Sequence, residues 1–372
     1  MSETKSKKGL TKKQLLLIVL AVVVVAAAVV AIILLTGPKE EEGVKFALVT
    51  DVGNIDDQSF NQSTWEGLVA FADANKLVKD ENYAYYKPFE DSDDARIESI
   101  TTAIDNGAKV VIVPGYLFNA AVLKAAEDNP EVIFIGVDLT IDPSAYPANA
   151  TNLVFKEEQS GFMAGYAAVM DGYTKLGFLG GINVPAVVRY GFGYIQGIDY
   201  AAQQLGVTPE VKYWYANTFG PNDEIKAKMD SWYAEGTEIV FACGGGIFLS
   251  CLSAADTADG MMIGVDSDQG YISERFVTSA MKIIPSPLSA LLQKIYDASY
   301  KLPEEYAGHD TVLSIVDGAC GLPTAEGSWR FKSFTMEDYQ MILDKVLAGD
   351  VMISDATDVA PETVVTTVDF QN

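Results

Sequence analysis

The sequence predicts an α/β protein of two similar lobes, each a parallel sheet with helices on both faces, preceded by a membrane-spanning helix. Three observations lead there. Short β-branched and apolar runs alternate with stretches of helical length from Val44 onward. The alternation comes in two series, joined near Phe155 and crossed again after Val277, which places a cleft between two lobes. Before both lies Leu15 to Leu35, an apolar run without a charge.

That run is preceded by Lys5, Lys7, Lys8, Lys12 and Lys13. At about 1.5 Å per residue it crosses the roughly 30 Å hydrocarbon core of a bilayer, and it exceeds the ~7–15 residue core of a cleavable signal. The expectation is a single-pass anchor with its lysines in the cytoplasm and the folded part extracellular or periplasmic. Export follows even if the segment is cut. Glu40, Glu41 and Glu42 mark a solvated linker, so residues 1–43 form tail, anchor and linker.

Lobe 1 is expected over 44–155. Its strand runs are Val44 to Thr50, Tyr83 to Pro88, Lys109 to Pro114, Val132 to Val137 and Asn152 to Phe155. Helical patterns lie between them at Phe60 to Asn75, Asp93 to Asn106 and Phe118 to Asn129. Lobe 2 is expected over 156–283, with strands at Lys175 to Leu179, Glu210 to Tyr215, Glu238 to Ala242 and Met261 to Val265. Its helices fall at Glu158 to Met170, Ala186 to Leu205, Asp223 to Ala234 and Phe248 to Asp259. Residues 284–310 return to lobe 1 through a helix at Ser286 to Tyr300. Thr311 to Val316 is expected to cross back, giving lobe 2 part of 311–372, including an amphipathic helix at Met336 to Leu347.

A formal charge of −25 repels phosphate backbones, and no basic stripe offsets it, so nucleic acid is excluded as a partner. The single histidine, His309, argues against a histidine base or a multi-histidine metal site. Cys243, Cys251 and Cys320 lack zinc spacing and read as small buried apolar residues, with a bridge between the first two open. The spacing of Gly191, Gly193 and Gly197 does not fit a dinucleotide fingerprint and begins within a helical stretch. No cofactor is implied.

The organising stretch is Phe46-Ala-Leu-Val-Thr-Asp51-Val-Gly53-Asn54-Ile-Asp56-Asp57-Gln58-Ser59-Phe60-Asn61-Gln-Ser63: a buried strand, a polar turn, and a helix start for which Ser59 is the candidate cap. Polar groups thus gather at the carboxyl end of a strand, where open α/β sheets bind ligands. Asp138 closes Val-Ile-Phe-Ile-Gly-Val, and Asp266 repeats the pattern after Met-Met-Ile-Gly-Val in lobe 2. Asp56 and Asp57 read as helix-capping or solvated acids.

The organising stretch resembles the opening motif of the basic membrane protein family, nucleoside-receptor lipoproteins of bacterial ABC importers. Four further stretches extend the resemblance: Glu158-Gln-Ser-Gly-Phe-Met-Ala-Gly-Tyr-Ala-Ala168, Leu176-Gly-Phe-Leu-Gly-Gly181, Ile263-Gly-Val-Asp-Ser-Asp-Gln269 and Val277-Thr-Ser-Ala-Met-Lys282. It implies a periplasmic-binding-protein type I fold with a purine nucleoside clamped between the lobes, presented by a monomer to ABC permease subunits. The implied aromatic pair is Phe60 and Phe219. Asp51, Asn54, Asn61 and Asp138 would read the base edge, Asp266 and Lys282 the ribose, and Gly245 would offer a backbone contact. Asp268 and Gln269 would stand behind them. The family's lipid-bearing cysteine has no counterpart after the apolar run, so the helix would replace the lipid. Two other functions fit the same residues: a nucleoside sensor without transport, and a nucleoside hydrolase holding calcium with Asp51, Asp56 and Asp57.

Overall fold

The computed structural model describes residues 12–13 and 43–371. The expected membrane span over residues 15–35 lies outside the described residues. Among those described, no helix is long and apolar enough to cross a membrane.

The first sheet is built from β1 (Phe46–Val49), β2 (Tyr83–Tyr86), β3 (Val110–Pro114), β4 (Ile133–Val137) and β5 (Ala150–Phe155). Helices α1 (Phe60–Ala74), α2 (Asp93–Asp105) and α3 (Asn119–Asp128) connect the strands. Continuous apolar runs such as Val110 to Pro114 are buried on both faces, as strands covered by helices on each side must be.

The second sheet follows, with β6 (Lys175–Gly180), β7 (Glu210–Tyr215), β8 (Ile239–Cys243), β9 (Met261–Asp266) and β10 (Phe276–Lys282). Helices α4 (Glu157–Met170), α5 (Pro185–Leu205), α6 (Asp223–Ala234) and α7 (Phe248–Ala258) belong to it. The chain then runs through α8 (Pro285–Asp297), β11 (Asp310–Leu313), β12 (Cys320–Gly321), α9 (Met336–Leu347) and β13 (Thr367–Phe370). Sheet order is β11-β5-β4-β3-β1-β2 in lobe 1 and β12-β10-β9-β8-β6-β7-β13 in lobe 2. Every pairing is parallel except that of β12 with β10.

Two expectations need correction. The stretch from Thr311 does not cross straight to lobe 2. Thr311, Val312 and Leu313 pair with Leu153, Val154 and Phe155 as the edge of the first sheet, and the crossing comes after them. Strands β12 and β13 went unread because each is short and its partner strand lies far off in the chain, and β10, which follows β9 after a loop, also went unread. Strand β13 is tied down by Asp199, whose carboxylate accepts the backbone N–H groups of Val364, Val365 and Thr366 at 2.9–3.1 Å. Those donors hold the Asp199 carboxyl below its ordinary range, against the effect of burial.

Glycine spacing in α4 and α5 serves helix packing. A Cβ at Gly193 would lie 2.1 Å from the Glu158 carbonyl oxygen, and one at Gly197 2.0 Å from that of Phe162. The two backbones meet there with no room for a side chain. Cys243, Cys251 and Cys320 are buried and unbridged.

Candidate functional site

A cavity of about 410 Å³ opens between the carboxyl ends of the two sheets. Asp51, Asn54, Phe60, Asn61 and Asp138 line it from lobe 1, and Phe219, Gly245, Asp266 and Lys282 from lobe 2. Thus all nine residues singled out in the sequence border one space.

The opening turn is folded by its acids. Asp57 accepts the N–H groups of Ser59 at 2.9 Å, Asn61 at 3.1 Å and Gln62 at 3.0 Å, so Asp57 caps α1. Two carboxylate oxygens meet the orphan donors and the positive end of the helix together. Ser59, the expected cap, makes no capping bond; its hydroxyl donates instead to Asp266 Oδ2 across the cleft at 2.8 Å. Asn61 also differs from expectation. Its amide donates to Asp51 Oδ1 at 2.7 Å and Asp57 Oδ2 at 2.8 Å, and its oxygen accepts the Asp51 N–H at 3.2 Å. Asn61 therefore braces the turn, and its amide donors are not free for a ligand.

Each aromatic ring rests on glycine. A Cβ at Gly115, where φ is +96°, would touch Phe60 Cε1 at 3.4 Å. On the other side Cβ atoms at Gly181 and Gly244 would come within 2.5 and 3.0 Å of Phe219 Cδ1, and one at Gly245 within 3.0 Å of the Phe219 carbonyl oxygen. Gly244 and Gly245 also have positive φ, of 139° and 52°. These turns thus require glycine twice over, for backbone conformation and for the ring.

The acids at the strand ends stand in equivalent places. Asp138 follows β4 with φ +58°, and Asp266 ends β9 with φ +62°; both are left-handed, which is uncommon outside glycine. Lys282, at the end of β10, reaches Asp138 in an ion pair. Its Nζ also lies 2.8 Å from Glu157 and 4.0 Å from Asp266. Arg189 Nε donates to Glu157 Oε2 at 2.5 Å. Sequence reading placed Lys282 beside Asp266 alone; the structure makes it the hub of three carboxyls drawn from both lobes. It also lies 5.0 Å over the Phe60 ring, within cation–π range.

Glu157, Arg189 and Tyr190 were missed in the sequence. A signal was present: Glu157 and Glu158 open a largely buried helix, and Arg189 is the lone cation in the long run of α5. Tyr190 donates from its hydroxyl to Asp266 Oδ1 at 3.2 Å.

Three buried acids meet two cations here, and burial competes with the cations in setting how each acid titrates. Burial opposes a charge on Lys282, but Asp138, Glu157 and Asp266 outweigh it and raise its pKa. Glu157 is pushed up by burial yet held below its ordinary range by Lys282 and Arg189. Burial raises both Asp138 and Asp266 against the pull of Lys282. Asp138 Oδ1 is buried without a hydrogen-bond partner, so it is an acceptor awaiting a donor.

In the opening turn, burial lifts Asp51 from 3.8 to about 6, despite the bonds it receives from Gly53 and Asn61. A carboxyl with a raised pKa costs the fold stability once the unfolded chain ionises while the folded one resists. That cost is absent below pH 3.8 and is complete once pH has climbed past about 6. Asp51→Asn is therefore expected to unfold at a higher temperature than the parent at pH 7.5 and to lose that advantage at pH 4. A difference that does not vary with pH would remove burial as the cause.

The hydrolase reading meets a specific difficulty. Asp57 directs both oxygens to helix donors, Asp51 Oδ1 accepts from Gly53 and Asn61, and Asp56 Oδ1 accepts from Asn54 at 2.7 Å. Among the described residues no group of three or more acids, histidines or cysteines is arranged to hold a metal ion.

Two parallel-sheet lobes with ring-bearing turns and acids around a shared cavity define a binding protein of the two-lobed periplasmic type. The chain belongs to the basic membrane protein family: the family described as ABC transporter substrate-binding protein, PnrA-like, matches residues 44–345. It is 31% identical over 248 residues to the ABC transporter nucleoside-binding protein BmpA of Lactococcus lactis, covering 64% of this chain and 68% of that one. To basic membrane protein B of Borreliella burgdorferi it is 28% identical, covering 76% and 81%. An ABC-transporter solute-binding protein from Aeropyrum pernix shares the fold at a TM-score of 0.70 and 18% identity, over 86% of this chain and 94% of that one.

Proposed function

We propose that this protein captures a purine nucleoside between its lobes and delivers it to the permease subunits of an ABC importer, from the outer face of the membrane. No bond is made or broken. The observation that carries the reading is the convergence of Phe60, Phe219, Asp138 and Asp266 on one cavity. A nucleoside has a flat base, a hydrogen-bonding edge and a ribose, and the cavity has rings, an unpartnered acceptor at Asp138 Oδ1 and a second acid at Asp266. The named nucleoside binding of the Lactococcus relative supports the same ligand class.

In this reading Phe60 and Phe219 hold the base and Asp138 Oδ1 accepts a ring N–H. Asp266 already accepts from Ser59 and Tyr190. Each of its oxygens keeps a further lone pair for a ribose hydroxyl. Lys282 keeps Asp138 and Asp266 placed, and Phe219 depends on Gly245. Asp51 and Asn54 face the remaining edge of the ligand.

Isothermal titration with inosine, guanosine and adenosine tests the proposal; at least one should bind in the micromolar range or tighter, about 8 kcal/mol. Absence of heat with all three would overturn it. A 2′-deoxynucleoside should bind about tenfold or more weakly than its ribose form, since a hydrogen bond to a charged acceptor contributes about 1.5–3 kcal/mol. Equal affinity would remove Asp266 from the ribose.

A further inference from the structure

The lobes are also joined where no ligand sits. Gln269 is fully buried in the loop after β9, and its side-chain amide is divided between the two lobes. Its Oε1 accepts the Val265 N–H at 3.1 Å within lobe 2, while its Nε2 donates to the Gln58 carbonyl of lobe 1 at 3.0 Å. The backbone N–H of Gln269 is fixed by Ser279 Oγ at 3.0 Å. Next to it, Asp268 bonds Ser328, and Arg330 donates to the carbonyls of Gly270 and Phe276 at 2.8 and 2.9 Å. The loop is thus anchored rigidly in its own lobe.

On the facing side Gln58 adopts a left-handed conformation at φ +57°. Its N–H is held by Gln62 Oε1 at 3.0 Å. A non-glycine residue held in that region at an inter-lobe contact has a conformation the surroundings must enforce. Beside it runs another bond between lobes, from Ser59 to Asp266.

We propose that Gln269 is a positioning residue that latches the lobes together, setting how long the closed state lasts and hence how slowly ligand leaves. The latch acts on closure and makes no ligand contact: Gln269 does not line the cavity. Its effect on ligand release rests on the nucleoside reading above, but its effect on opening does not.

Two readouts separate these. Cys243 lines the cleft and is 1% exposed, whereas Cys251 lies in the packed helix layer of lobe 2. Of these two thiols, opening should expose Cys243. Gln269→Glu retains the acceptor for Val265 but sets a carboxylate against the Gln58 carbonyl, breaking only the inter-lobe half. With the full chain free of ligand, iodoacetamide should label Cys243 about three- to tenfold faster in this variant, the range expected for one net hydrogen bond. Labelling of Cys251 should stay unchanged. With inosine, the dissociation rate should rise by a similar factor. Ser59→Ala, which removes only the hydroxyl and changes no charge, should move Cys243 labelling the same way. Unchanged Cys243 labelling in both variants would overturn the latch, as would an equal rise at Cys251. If inosine and the other nucleosides fail to bind the parent protein, the nucleoside reading fails while the labelling still decides the latch.

Discussion

Lys282→Met is expected to lower the unfolding free energy by about 3–5 kcal/mol, the usual result of removing one partner from a buried charge cluster. Methionine matches the stem of lysine in volume, so packing changes little. Asp138 and Glu157, however, lose the cation that reaches both. Glu157 keeps Arg189, and Asp138 keeps no cation in contact among the described residues. Urea unfolding at pH 7.5 measures the loss. It should shrink at pH 5, where carboxyls raised by burial can take up a proton, and Asp138→Asn in the Lys282→Met background should restore part of it. A loss under about 1 kcal/mol would mean that Lys282 is a surface-like ion pair, and the cluster would no longer explain how β4, α4 and β10 are held in register.

Phe60→Ala should reduce nucleoside affinity by about 10- to 100-fold, because stacking on one aromatic face contributes about 1–3 kcal/mol per base. Its effect on folding should be small by comparison. Phe60 is only partly buried, and its ring faces the cavity and Gly115. Phe60→Tyr keeps the face and should keep the affinity. Calorimetry paired with urea unfolding separates the two consequences: a large affinity loss with near-parental stability assigns the ring to the ligand. A large stability loss with unchanged affinity would assign it to the core. Lys282 over the Phe60 ring adds a coupling between the two experiments, since losing the cation changes the charge beneath the stacked base.

Much of the fold was legible because its signals are local. Val110 to Pro114 reads as a covered strand from five residues, and the acids Asp138 and Asp266 stand out as polar closures of apolar runs. What could not be read depends on contacts far apart in sequence. Ser59 looks like a helix cap from its neighbours, yet its partner is Asp266, 207 positions later; the cap is Asp57. Lys282 and Asp138 lie 144 positions apart. Edge strands such as β11 and β13 are half exposed and carry no continuous apolar run, so periodicity could not assign them to a sheet. Gly193 and Gly197 lie in a stretch read as helical whose spacing fits no cofactor loop, and only the facing helix explains them.

The central claim is that the strand-end acids and the two glycine-seated rings form a single nucleoside site closed by the lobes. A crystal structure grown with inosine tests it most directly. The account predicts the base held between Phe60 and Phe219, with its edge on Asp138 Oδ1, its ribose on Asp266, and the Gln269 to Gln58 bond intact. A nucleoside bound elsewhere, or a cleft that stays empty at saturating inosine, would contradict it.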